Sequence, residues 1–509
     1  MAADRLFAVF DVRERGEYNE RQIPGATSLP RSQIEFRIQS LVPDRKIPLM
    51  LYDGADGRAA LAAKTLAELG YSEISILDGG LPGWRRDARQ TVSGVNVPSK
   101  AFGEKIHHER TIPDVTPAEL KTLGESGTEL LILDVRTPEE YSRFCIPGGV
   151  NVPGGDLILW ADELRRKKDA AVIVNCAGRT RSIVGTAALR RLGLTHVRAL
   201  KNGTMGWVLA GLELEKNPAR TLRQAAPESR RAALSLAQQI ATEEKLVWIS
   251  SQELLRRLGE PSGSFTYLID VRSEAEFESG HIAGSLSVPG GQAVQRADDF
   301  VAVRNAEIVF ISNESARAVM AAYWYRQMGF LHVDLLQGGL RSWSECGYKL
   351  ARGAAIDEPL GLAAAQLVAT FVDSQNFAAE ADDASILILD VGTSLEFESA
   401  HLPGAQWISR GWLELELPRQ YPDRQRAIVV TCADGRQSIF AARALFGLGY
   451  KNVRVLAGGM RAWRAAGMRT ESGLDGCLVE ANDVVLSPSI RGTKEDMQRY
   501  LDWETKLER

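Results

Sequence analysis

The chain has 509 residues, 45% of them hydrophobic and 25% charged, with a formal net charge of −4 and a pI near 6.0. That length is too great for one ordinary core and suggests about three to five domains, and the composition is that of a soluble globular protein. The lack of net basic character disfavours nucleic acid as a partner, and no apolar run is long enough to cross a bilayer. The amino end, Met1 to Phe7, carries an acidic residue at once and then enters a strand pattern, so no signal peptide is expected and a cytoplasmic location is. Five cysteines, Cys145, Cys176, Cys346, Cys432 and Cys477, form no C-x-x-C pair, which argues against a disulfide framework or a structural zinc site.

A repeat organises the chain. Asp11-Val-Arg returns as Asp134-Val-Arg and Asp270-Val-Arg and, with Gly392 in place of arginine, as Asp390-Val-Gly. Each aspartate is followed after 73 residues by a tryptophan (Trp84, Trp207, Trp343 and Trp463), while the intervals between units vary as 123, 136 and 120. Length variation therefore sits in the linkers, and each unit is long enough to bury its own core. The predicted domains are 1–98, 99–215, 246–352 and 353–472, with a connector over 216–245 and a tail over 473–509.

The first unit begins abruptly at Asp11, without the helical segment that precedes the others near Thr116 to Leu120, Ser251 to Leu258 and Leu362 to Phe371. The second unit is the clearest. Thr116-Pro-Ala-Glu starts a helix, Leu130 to Val135 is an apolar strand ending in Asp134, and Thr137-Pro-Glu-Glu140 repeats the capping signature. Glu17, Glu140, Glu276 and Glu396 recur six residues after each aspartate and are expected to be structural. Then come the turn at Ile146-Pro-Gly-Gly, the strand Ala171 to Asn175, a helix from about Ser182 to Leu192, a strand from Val197 to Leu200 and the Gly-rich turn before Trp207. Strands alternating with helices give a three-layer α/β unit with a mostly parallel central sheet flanked by helices. The connector is expected to contain a helix and to divide the chain into two halves. The tail carries a cap at Thr493 and a stripe of Met497, Tyr500, Leu501, Glu504 and Leu507, expected to dock on the protein.

Forty-two residues after each aspartate stand Asp53, Cys176, Ser312 and Cys432, each at a strand end before a short loop and a helix. The loops read Asp53-Gly-Ala-Asp-Gly-Arg58, Cys176-Ala-Gly-Arg-Thr-Arg181, Ser312-Asn-Glu-Ser-Ala-Arg317 and Cys432-Ala-Asp-Gly-Arg-Gln437. Arginine closes the first three, whereas Arg436 of the fourth comes one position early. A loop wrapped over a helix start aims backbone N–H groups at one spot, where they can stabilise a thiolate or an anion, and nearby arginines add positive potential. An isolated cysteine at a strand end can also be a buried small hydrophobe. The polar loop with Arg179 and Arg181 favours a functional Cys176, while Asp434 and Gln437 weaken the case for Cys432.

On the Cys-x4-Arg loop, the Asp-Val-Arg strand end, the turns at His281 and His401 and the Gly-Gly-x-x-x-Trp ending, the chain resembles the rhodanese family, as four domains in tandem through about residue 472. The resemblance implies a thiosulfate sulfurtransferase. Cys176 matches the persulfide cysteine and Arg181 the loop-closing arginine, with Cys432 a second cysteine whose Arg436 is out of register. Ala177, Gly178, Arg179 and Thr180 would cradle the transferred sulfur, and Arg179 would point outward to meet the donor. Asp53 and Ser312 mark copies without the thiol. Where the later units have His281 and His401, the first has Gln22 and the second Cys145, expected to be a small apolar filler rather than a relay thiol. The implied partners are a small anionic sulfur donor, a cyanide, sulfite or thiol acceptor and a sulfur-acceptor protein, with a cysteine persulfide as intermediate and no metal or organic cofactor. A non-catalytic sulfur carrier or protein-binding scaffold is the alternative, and a dual-specificity-type phosphatase a further one, disfavoured because that fold's loop is one residue longer.

Overall fold

The computed structural model describes residues 5–218, 220, 224–259, 265–313, 315–354 and 358–507. Part of the connector and Glu314 of the third loop lie outside the described residues. In the second domain five parallel strands run in the order Asp114–Val115, Val197–Leu200, Ala171–Asn175, Leu130–Asp134 and Val150–Asn151. The third and fourth domains repeat this order, with Val247–Ile249 and Phe371–Val372 as their outer strands. Successive side chains leave a strand on opposite faces. In the fourth domain Leu387 and Leu389 accordingly enter one core with Leu413, Ile428 and Phe440, while Ile388 enters the other with Phe397, Trp407 and Trp463.

In the first domain Thr27–Ser28, Phe7–Asp11, Leu49–Tyr52 and Ile74–Ile76 lie side by side. Beyond Ile74–Ile76 the outer strand of the other domains is missing among the described residues, and Ile76 is 47% exposed. The reading of Leu362 to Phe371 as one helix needs correction. The helix is Leu362–Val368, Phe371 opens the outer strand, and Ser374–Ala378 is the helix that follows it.

Capping explains where the short helices begin. At Thr116, Thr137, Ser273 and Thr393 the hydroxyl accepts the N3 amide and the N3 glutamate returns a bond to the cap amide. Each motif tryptophan donates its indole N–H to a carbonyl six residues on, at 2.8 Å in three domains and 3.2 Å in the third. The glycine before it is obligatory. Gly203 has φ +55°, and a Cβ there would lie 2.2 Å from the Cys176 carbonyl; at Gly339 and Gly459 the corresponding gaps are 2.0 and 2.1 Å, to Ser312 and Cys432.

The domains do not pair as halves of the sequence. One compact unit contains residues 1–6, 96–356 and 486–509, hence the second and third domains and the end of the tail; the other contains 7–95 and 357–485, hence the first and fourth domains and the start of the tail. In the first of these units the connector helix Pro227–Glu243 packs on Leu157–Arg166 and Ala316–Gln327. Equivalent glycines of the two domains meet there, and a Cβ on Gly155 would lie 2.9 Å from Gly290 Cα. In the other unit the equivalent positions carry arginines in a reciprocal exchange. Arg410 binds Glu35 at 2.9 and 2.5 Å, and Arg31 binds Glu414. Residue i meeting j while the equivalent j meets i is the signature of a pseudo-two-fold contact.

Removing one member of a buried pair strands the other charge, at about 3–5 kcal/mol, whereas replacing both with apolar residues is far milder. Glu35→Ala should therefore lower the urea midpoint strongly, and Glu35→Met with Arg410→Leu should recover most of the loss. Equal midpoints for wild type and Glu35→Ala would show that the contact carries no stability.

Candidate functional site

The four loops share one device. Six residues beyond the strand-end position, a backbone amide at the start of the following helix turns back toward that side chain. The Ala59 amide donates to Asp53 at 2.9 Å, the Ala318 amide to the Ser312 hydroxyl at 3.4 Å and the Ser438 amide to Cys432 Sγ at 3.4 Å. At Cys176 the equivalent residue is Ser182, which pulls the thiol's pKa down, while its hydroxyl donates to the Arg179 carbonyl at 2.8 Å. Asp53 also accepts the amides of Ala55 (2.8 Å) and Gly57 (3.0 Å), so its carboxylate fills the anion cup of its own loop. Cys432 has the fullest set of donors to a sulfur, adding the Gly435 amide at 3.2 Å, and its sulfur lies 3.5 Å from Ser438 Oγ, whose hydroxyl donates to the Gly435 carbonyl at 2.8 Å.

Closing arginines are locked rather than free. Arg181 binds Glu140 through both nitrogens at 2.6 and 2.8 Å, Arg58 binds Glu17 at 2.5 and 2.7 Å, and Arg317 binds Glu276 at 2.8 and 2.6 Å. The glutamates expected to be structural caps thus also tie each loop to the helix that follows the first central strand. Burial opposes ionisation of Glu140, but the Arg181 guanidinium outweighs it and holds the carboxyl at about 2. In the fourth domain Gln437 takes the arginine's place, and its amide oxygen accepts Arg410 Nε at 2.7 Å. The guanidinium held on the Cys432 loop through Gln437 is thus that of Arg410, a residue absent from the sequence reading. Its signal was available: Ser409-Arg-Gly and Pro30-Arg-Ser stand where the second and third domains have Pro-Gly-Gly. Arg436 pairs with Asp434 at 2.7 Å, with its side chain 45% exposed, and lies at the rim.

Cys176 is covered. Its side of the loop packs under the tail helix Lys494–Glu504, where Met497, Tyr500 and Leu501 join Met205 in one cluster. Glu504 is buried and accepts the Thr180 hydroxyl at 2.5 Å and amide at 3.3 Å, so a carboxylate from the tail occupies the start of the loop helix. Lys100 Nζ lies over the Tyr500 and Trp503 rings at 4.8 and 4.7 Å. The expectation that Arg179 points outward fails. The side chain turns inward onto Glu104 at 2.7 and 2.8 Å and reaches Asn202 at 3.1 Å. Ala177 is buried, its carbonyl taken by the Met205 amide at 3.0 Å, and a Cβ on Gly178 would come 3.2 Å from Glu504. Burial pushes the Cys176 thiol above its ordinary value; Arg181 and Ser182 pull it down, and Glu504 adds to the rise. Burial likewise raises Cys432. Burial thus opposes ionisation at both thiols.

Cys145 is fully buried in the strand Phe144–Cys145, paired antiparallel with Glu215–Lys216, and Arg220 Nη2 stands 3.7 Å from its sulfur. Its place in the later domains is taken by His281 and His401, stacked on Phe277 and Phe397 at 3.8 and 3.9 Å, and in the first by Gln22, which bonds the Gly94 carbonyl. The stacked histidines and the antiparallel strand pairing around Cys145 are those of a packing position. Glu104, His107 and His108 bring ligand atoms within 4.8 Å of one another, but both Glu104 oxygens are committed to Arg179.

Comparison with known proteins agrees with this architecture. The crystal structure of a thiosulfate sulfurtransferase from Pseudomonas aeruginosa is 38% identical, with a TM-score of 0.92 over 99% of this chain and 94% of that one. The uncharacterised protein YqhL of Bacillus subtilis is 32% identical over 101 residues, 19% of this chain and 78% of its own length. The putative thiosulfate sulfurtransferase SseB of Mycobacterium tuberculosis is 28% identical over 122 residues, 22% of this chain and 42% of its own length. The rhodanese-like domain model matches residues 1–87, 116–210, 250–346 and 373–466, and with four such domains in a row the chain belongs to the rhodanese-like family.

Proposed function

We propose that the chain is a thiosulfate sulfurtransferase that carries sulfane sulfur on Cys176. The observation behind this reading is a thiol at the end of a central strand, in a loop closed by the locked Arg181, in a chain similar over nearly its whole length to a thiosulfate sulfurtransferase. The Cys176 thiolate attacks the outer sulfur of thiosulfate, the S–S bond breaks, and sulfite leaves with the bonding pair, giving Cys–S–S⁻. Cyanide or a thiolate then takes the outer sulfur and returns Cys176 as thiolate, a ping-pong cycle that consumes no redox equivalent. Loop amides and Arg181 offset the anionic charge of donor and persulfide. The tail helix acts as the cover of this site, and donor entry requires its displacement. The Asp53 and Ser312 domains are non-catalytic.

A second reading makes Cys432 the working thiol, favoured by its direct amide donors and by Arg410. Cys176→Ser should reduce thiosulfate-to-cyanide transfer by ~10²-fold or more and abolish the one-sulfur mass gain at residue 176 after thiosulfate treatment. Wild-type turnover in that variant would move the activity to Cys432.

The lock has a pH signature. A carboxyl held at about 2 in the fold, against an ordinary value near ~4.3 when unfolded, contributes stability that is present above the unfolded value and lost as pH falls toward 2. Glu140→Gln should therefore lower the denaturation midpoint at pH 7 and flatten the decline between about pH 5 and 2. Arg181→Ala should do the same and also impair sulfur transfer. An unchanged acid limb in both variants would mean that the pair does not stabilise the loop.

Removing the covering carboxylate should expose Cys176. If Glu504→Ala costs the tail about 1.4 kcal/mol of docking, alkylation of Cys176 by iodoacetamide rises roughly tenfold. The rate at Cys432, read by peptide mass in the same sample, should stay as in wild type. Equal rates at Cys176 in both proteins would rule out the cover.

A further inference from the structure

In three domains the arginine of Asp-Val-Arg neutralises its buried aspartate. Arg13, Arg136 and Arg272 each chelate Asp11, Asp134 or Asp270 with contacts of 2.6–3.0 Å and give a further N–H to the carbonyl of Arg21, Phe144 or Gly280 at 2.6–2.7 Å. The fourth domain keeps Asp390, only 2% exposed, but has Gly392 in the arginine's place; the carboxylate accepts the Gly392 amide at 2.8 Å and, among the described residues, pairs with no arginine. A cleft of ≈ 480 Å³ opens at this point, lined by Asp390, Glu396 and Ala400, the positions equivalent to Asp134, Glu140 and Phe144 around Arg136. The cleft is the vacated seat of a guanidinium, and its volume falls within the ≈ 300–1,000 Å³ typical of small-ligand sites. It continues to Ala433 of the Cys432 loop, with the exposed Arg461 and Arg464 at its edge.

We propose that this cleft binds a small zwitterionic sulfur acceptor, its ammonium or guanidinium group on Asp390 in place of the missing arginine and its anionic end toward Arg461 and Arg464, beside Cys432. The acceptor role rests on the second reading above, in which Cys432 carries the sulfur; the binding site does not. A buried carboxylate without a counter-ion is costly, and a ligand cation supplies charge-assisted hydrogen bonds at the place where the other domains supply their own. Burial accordingly pushes Asp390 up to about 7, with the Gly392 amide opposing and Glu396 adding to the rise.

The test is calorimetric titration of the full chain with L-cysteine, which carries an ammonium, and with L-arginine, which adds a guanidinium, in the absence of sulfur donor. Saturable binding of at least one of them is expected, weakened roughly tenfold or more in Gly392→Arg. That variant puts an arginine where the other three domains have one, with its Cβ 3.0 Å from Asp390 Oδ1 and 3.2 Å from Glu396 Oε2, so its circular dichroism is compared with wild type; Asp390→Asn should weaken binding similarly. No saturable binding to wild type, or binding that survives Gly392→Arg, overturns the site. Binding of L-cysteine by a chain that transfers sulfur to cyanide but not to the bound thiol overturns the acceptor assignment alone, while loss of transfer to cyanide overturns the sulfurtransferase reading and leaves the site standing.

Discussion

One ion pair holds the chemistry of each intact domain in place: a guanidinium at the start of the helix behind the loop, gripped by a carboxylate at the start of the helix behind the neighbouring strand. Arg181 and Glu140 form it around Cys176, and Arg58–Glu17 and Arg317–Glu276 form it around Asp53 and Ser312, where there is no thiol to serve. Persistence in domains without a nucleophile marks the pair first as a constraint on loop shape. Where it is lost, at Gln437 and Glu396, the loop is held by Arg410 of the same domain, itself anchored on Glu35 of the first domain. The domain without its own lock borrows a charge from the surface that pairs it with another copy.

The loops also differ in what fills their amide cup. The Asp53 carboxylate takes three amides in its own loop and leaves no vacancy for an anion. Around Cys176 the competing carboxylate is Glu504, brought by the tail to the helix start rather than to the sulfur. Cys432 meets its amides directly. The same backbone therefore supports a permanently filled cup, a covered thiol and a hydrogen-bonded thiol, separated by a handful of side chains.

Much of this was legible in order along the chain. The Asp-Val-Arg strand ends, the capping glutamates and the Gly-x-x-x-Trp turns follow from local rules, and Thr116, Thr137 and Thr493 cap helices where those rules put them. What escaped are contacts between residues far apart in sequence. The inward turn of Arg179 depends on Glu104, and the cover over Cys176 on Glu504, neither of which the loop's own letters announce. Loop arginines read as free positive potential prove to be committed to carboxylates, since periodicity reveals a charge but not its partner. Domain pairing escaped for a related reason: chain neighbours were taken as spatial neighbours, although the Pro-Gly-Gly and Pro-Arg-Ser variants of one position already separated the pairs.

That interleaving bears on how the protein is made. The first and fourth domains form one unit from residues 7–95 and 357–485, with the whole stretch 96–356 between them. On a ribosome adding ~5–20 residues per second, the first domain emerges of the order of tens of seconds before its partner. Throughout that interval Arg31 and Glu35 lack Glu414 and Arg410, and the surface that will bury them faces solvent beside a nascent second domain of the same fold. The Gly-Gly turn of that neighbour carries neither charge. It offers no counterpart to either residue, so the arginines and glutamates that later bind the outer pair also keep the first domain from settling early on the wrong copy.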